Sequence, residues 1–202
     1  MKGKIACSEV YLEHMAAENH FEAARCALLM LEEFGDVIRH HEMMLTVNIR
    51  RENIAAALEN CEEILSYGQL KGLDVTEFEA HRVSLQTRLQ RTRKYLAAQF
   101  WDEVTTDLPG APKRYATVPL IISGEAHCQE NLESGAMFLV LPVRGDAGKR
   151  IACRLAPGET PFLAGIIFPQ RVTVHGRFLS ASETLVLLHP CHYLASFEIP
   201  WQ

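Results

Sequence analysis

Arg171, Thr173, His175 and Arg177 alternate along one short run with Val172, Val174 and Phe178, so a strand there puts the polar four on one face. In the run before it, Arg150 and Arg154 alternate in the same way with Ile151 and Cys153. If the two polar faces converge, they make a basic surface suited to phosphates, and Phe138 supplies an aromatic platform on which a base can stack. The same faces also serve simply to keep a β module in water. A different chemistry is suggested by Phe138 and Val140, which alternate with Met137, Leu139 and Leu141 in a run that is apolar on both sides. A small β module has one interior, so the second apolar face must meet something else, either the rest of the chain or a protein partner.

Cys and His are zinc ligands, and His189, Cys191 and His192 crowd one segment, with His127 and Cys128 upstream. Structural zinc draws on C-x2-4-C or H-x3-5-H pairs, and these residues form neither. These residues are read as core cysteines with surface histidines, and no metal is expected. His40 and His41 are read as surface residues as well. There is no G-x-S-x-G elbow, Walker loop, G-x-G-x-x-G or H-E-x-x-H. The expectation is a protein without enzymatic activity and without a cofactor.

The elements that position these groups change character near Leu108-Pro109-Gly110-Ala111-Pro112. All nine prolines follow Leu108, and most of the glycines do too. Before it the apolar period is 3.6; after it the period is 2. The pattern predicts an α+β chain in two modules: a helical module over 1–107, a linker over 108–115 and a β module over 116–202.

Three helices are expected in the first module. One opens after Ser8 and ends at Phe34 before Gly35, one runs from Asp36 to Tyr67, and one from Asp74 to Val104. Met44, Val47, Ile54, Leu58, Cys61 and Leu65, and then Phe78, Leu85, Leu89 and Leu96, fall on steps of three and four around Arg51 and Arg82. That spacing predicts a three-helix, antiparallel coiled-coil-like bundle. Within it, His20-Phe21-Glu22-Ala23-Ala24-Arg25-Cys26-Ala27 faintly resembles the aromatic-then-alanine packing of tetratricopeptide repeats. Their glycine is missing, and the repeat of about 34 residues does not recur convincingly downstream.

In the second module five runs read as strands: 118–123, 135–143, 150–155, 171–178 and 184–188. Turn clusters such as Arg144-Gly145-Asp146-Ala147-Gly148 separate them. The order of strands, with Gly176 in "RVTVHGRF" and a last strand running into His189-Pro190-Cys191-His192-Tyr193, resembles the small OB-fold modules related to transfer-RNA anticodon-binding domains. The resemblance covers 118–193 and implies a five-stranded OB-like β-barrel. It also implies that single-stranded nucleic acid is a candidate ligand.

Charge weighs against that ligand. The net charge is −5. Residues 1–105 hold 12 Lys/Arg and 17 Asp/Glu, whereas 106–202 hold eight of each. Nucleic-acid surfaces need clustered cations. No apolar run approaches a membrane span, no signal-peptide core follows Met1, and the six cysteines form no CxxC pair. The sequence therefore predicts a cytoplasmic, non-catalytic adaptor that binds protein partners or itself, with Phe138 and Val140 at the interface. The alternative is a single-strand nucleic-acid binder using Arg150, Arg154, Arg171, His175 and Arg177.

Overall fold

The computed structural model describes residues 2–130, 134–143, 148–164 and 166–194. The expected turn at 144–147 lies outside them. The chain is α+β and divides into two compact units, 1–90 and 91–202.

The first unit holds five helices: α1 (Lys2–Ala16), α2 (His20–Glu32), α3 (Val37–Arg50), α4 (Ile54–Lys71) and α5 (Thr76–Arg91). The expected first and second helices are each cut in two, and the third ends at Arg91. The breaks have local causes. Asn19 and Asn53 cap α2 and α4, accepting from the backbone N–H of Glu22 and Ala56, and Asp36 caps α3 by accepting from that of Arg39. Glu18 and Glu52 take left-handed backbone angles, φ 55° and 53°. Helical propensity alone would have run the helices through both glutamates.

These two breaks are 34 residues apart, and the equivalence extends over both hairpins. Tyr11 and Leu45, Ala23 and Ala57, Ala27 and Cys61, and Met30 and Ile64 are buried pairs at the same offset. The unit is thus two helix hairpins related by an offset of 34 residues, followed by α5. One cluster joins α1, α2 and α3 through Tyr11, Cys26, Met30, Met43 and Val47; a second joins α3, α4 and α5 through Leu45, Cys61, Ile64, Leu65, Phe78 and Leu85. His40 and His41 are not bystanders. The Nδ1 of His40 lies 2.7 Å from the Ala27 carbonyl oxygen, and that of His41 lies 3.0 Å from Asn60 Oδ1.

The second unit opens with β1 (Arg93–Leu96), α6 (Ala97–Thr106) and α7 (Ala111–Tyr115). Then come β2 (Pro119–Glu130), β3 (Met137–Pro142), β4 (Arg150–Leu155), a 3-10 turn (Thr160–Leu163), β5 (Gln170–Ala181) and β6 (Leu185–Leu194). Strands β2–β3–β4–β6–β5 close back onto β2, with β4 and β6 parallel and the other pairs antiparallel. This is a closed, OB-like five-stranded barrel. Leu120, Ile122, Leu139, Leu141, Ile151, Cys153, Val174 and Leu188 fill it. β1 adds a parallel strand to β2 at Leu120–Ser123.

The segment expected as a linker is part of this unit. Ala111 and Tyr115 belong to the barrel core, along with Phe100, Trp101 and Val104 of α6. Gly110 donates its backbone N–H to Asp107 Oδ1 at 3.0 Å. Proline and glycine here make a tight α6–α7 corner rather than a loose connection. Gly176, the one glycine of the barrel motif, sits where an added Cβ would meet Cys191 Sγ at 2.7 Å, so the β5–β6 approach excludes a side chain there.

Candidate functional site

Strand parity sorts the outer face. In β3, Leu139 and Leu141 are buried inside, so Phe138, Val140 and Pro142 face outward; in β4, Ile151, Cys153 and Leu155 point in, leaving Arg150, Ala152 and Arg154 on the outer face, the two arginines exposed and Ala152 buried. Register then aligns them in rows, because directly opposed residues share a face. Gln129 of β2, Phe138 of β3 and Arg154 of β4 form one row. His127, Val140, Ala152 and Leu187 of β6 form the next, and Pro142, Arg150 and Leu185 the third. Phe138 and Val140, expected at a protein interface, and Arg150 and Arg154, expected at phosphates, therefore occupy one face. His127, Gln129, Leu185 and Leu187 complete it. They were not legible in the sequence, because strand pairing and not residue type places them there.

The β5 group does not join them. β5 is separated from β4 by β6 and from β3 by β2. Arg171 and Arg177 are exposed as parity requires, but they stand at opposite ends of the run, six residues or about 20 Å apart. Arg171 is opposed in register by Glu125, which offsets its charge. His175 is buried, where a solvent-facing phosphate contact was expected. It pairs in register with His192, and the two rings lie 6.4 Å apart. The two basic runs thus do not converge on one surface.

His192 is likewise buried, where a surface histidine was expected. Its Nδ1 lies 3.2 Å from Glu159 Oε1, and the backbone N–H of Tyr193 donates to Glu159 Oε2 at 3.1 Å. Burial, and then the neighbouring Cys153 thiol, push the Cys191 thiol well above its ordinary range, so it is held protonated and unreactive. Among the described residues no cluster of three or more His, Cys, Asp or Glu could hold a metal ion. Nor is any of their helices long and apolar enough to cross a membrane.

Residues 1–90 hold nine Lys/Arg and fifteen Asp/Glu, and residues 91–202 hold eleven and ten. The barrel unit is close to neutral. No protein-family model matches the chain. No curated protein matches it either. Among solved structures, a presumptive nucleic-acid-binding lipoprotein from Klebsiella pneumoniae is similar over 53% of this chain and 95% of its own, at 13% identity and a TM-score of 0.44.

Proposed function

We propose that the chain is a non-catalytic adaptor within a larger assembly, and that its barrel engages a protein partner through the outer face of β3, β4 and β6. The observation that carries this reading is the row Val140–Ala152–Leu187, three apolar residues in register across three strands, with Val140 and Leu187 half-buried and Ala152 buried between them. Phe138 and Pro142 extend it, and Arg150 and Arg154 stand beside it. An apolar centre with an aromatic and arginines at its margin is the make-up of a protein interface. A nucleic-acid surface needs a basic excess, and this unit carries a net charge of +1 from its eleven Lys/Arg and ten Asp/Glu. Six free thiols suit a reducing compartment such as the cytoplasm.

The test is a photo-activated cross-linking side chain placed at Val140 in living cells. Protein adducts of defined mass, lost when Leu187→Arg is added, support the adaptor reading. Adducts with nucleic acid alone, or none, overturn it.

One observation supports a second reading of the same face. Phe138 and Arg154 are directly opposed, so a base stacked on the ring would bring its phosphate toward the guanidinium. This strand pair corresponds to the one on which OB-folds hold oligonucleotides. That reading requires single-strand binding to weaken in both Phe138→Ala and Arg154→Ala. Only the arginine change should lower the salt dependence.

A further inference from the structure

The 34-residue equivalence allows the two hairpins to be compared position by position, and their exposed faces differ. Ile5 and Leu12 of α1 are 54% and 59% exposed. Their equivalents in α3 are Arg39 and Thr46. The second hairpin thus solvates a face that the first leaves apolar, so the apolar pair is not a requirement of the fold. Ile5 and Leu12 are one heptad apart and lie on one stripe. Leu28 and Leu29 of α2, which replace Glu62 and Glu63, project from a different helix and are not part of this stripe.

The charges beside the stripe are ordered. Tyr11 and Glu13 flank Leu12 in the chain and so project about 100° to either side of it. The Tyr11 hydroxyl donates to the Met43 carbonyl oxygen of α3 at 3.1 Å, so α3 lies on that side. Glu13, with Glu9 one turn before it, lies on the other. Glu9 and Glu13, both exposed, occupy the positions of the buried Met43 and Val47, so that side of α1 is acidic where the matching side of α3 is apolar. On the α3 side stand Arg50, exposed, and Arg39, which pairs with Glu42 at 3.1 Å. The stripe therefore has acids along one margin and, along the other, Arg50 and the Arg39–Glu42 ion pair.

We propose that this stripe seats a second copy of the chain, the two α1 helices lying parallel about a two-fold axis with Ile5 against Ile5 and Leu12 against Leu12. A two-fold axis along the helices exchanges left for right, so the Glu9/Glu13 margin of one copy meets the Arg39/Arg50 margin of the other. An axis across the helices would set acid against acid. The order of charges thus selects the parallel pairing. This pairing involves the helical unit alone and is independent of the partner proposed for the barrel.

Sedimentation equilibrium of the full chain at about 100 µM, a concentration suited to a small interface, reads the outcome directly. The wild-type mass should approach twice that of one chain. Ile5→Arg with Leu12→Thr installs residues that the second hairpin already carries, and should give the single-chain mass. Glu13→Arg should dissociate the pair by opposing Arg50 of the other copy, and Glu13→Arg with Arg50→Glu should restore it. Glu13 and Arg50 are exposed, so the charge exchange reads the interface even where the apolar change alters folding. A wild type that stays at the single-chain mass overturns the proposal. So does a dimer that survives the Ile5/Leu12 change, or a Glu13→Arg defect that Arg50→Glu does not repair.

Discussion

Glu159 holds His192. The carboxylate is fully buried, its Oε1 lies 3.2 Å from Nδ1 of the ring, and its Oε2 accepts the Tyr193 backbone N–H at 3.1 Å. Glu159 thus meets a ring nitrogen with one oxygen and a backbone N–H with the other. The contact ties the connector after β4 to the end of β6, more than thirty residues on.

Removing that carboxyl takes a partner from the buried His192 ring and from the part-buried Tyr193 N–H. Glu159→Leu should destabilise the barrel by about 2–4 kcal/mol. Glu159→Gln keeps an acceptor oxygen and should lose less than half as much. Urea unfolding of both variants checks this. Equal losses would mean that packing, not the hydrogen bonds, is what Glu159 supplies.

Tyr115 gives the barrel unit a pH dependence at the alkaline end. Burial and the hydrogen bond to Glu103 hold its phenol well above the ordinary value of 10.0. Above pH 10 the unfolded chain releases this proton while the folded chain keeps it. Stability should therefore be full below pH 10 and fall as pH rises beyond it. Tyr115→Phe should flatten that fall and lower stability at neutral pH by about 1 kcal/mol, since Glu103 loses a donor. Melting scans from pH 8 to 11.5 compare the two.

The repeated breaks in the helical unit can be tested at their glutamates. A left-handed non-glycine residue carries about 1–2 kcal/mol of strain, part of which glycine would return in unfolded-chain entropy. Glu18→Gly and Glu52→Gly should each raise stability by about 0.5–1 kcal/mol. Asn19→Ala and Asn53→Ala should each lower it by about 1 kcal/mol through loss of the cap. A glycine that destabilises either site would contradict the turn geometry.

The helical and β character of the two regions was legible in the apolar period, and so was the barrel's strand order. Helix lengths were not. Glu18 and Glu52 are good helix formers in themselves, and only the tertiary fold sets them at positive φ, so the spacing read as long coiled-coil helices. The Asn caps at 19 and 53 were the available signal. The 34-residue period hid because its equivalent positions conserve burial rather than identity, as in Ala27 with Cys61 and Met30 with Ile64. On the barrel, alternation placed Phe138, Val140, Arg150 and Arg154 correctly outside. It could not show that β5 is two strands away from β4, or that His175 and His192 are enclosed. Parity gives a side of the sheet, and burial depends on what covers it.

The α6–α7 corner makes a sharp contrast with a linker. The Arg114 guanidinium donates to the Glu103 carbonyl oxygen at 3.3 Å and stacks 5.6 Å over the Tyr115 ring. Trypsin should therefore cut slowly after Lys113 and Arg114 in the native chain. Rapid cleavage there, with the barrel left intact, would restore the linker.

The most direct test of the adaptor reading is the anisotropy of labelled single-stranded RNA and DNA titrated with the full chain at about 0.15 M salt, a condition under which phosphate contacts must be numerous to hold. A protein-binding face on a nearly neutral barrel should show no sub-micromolar affinity, and Phe138→Ala and Arg154→Ala should change nothing. Sub-micromolar binding that both substitutions abolish would contradict the adaptor assignment and make the β3–β4 face a nucleic-acid site.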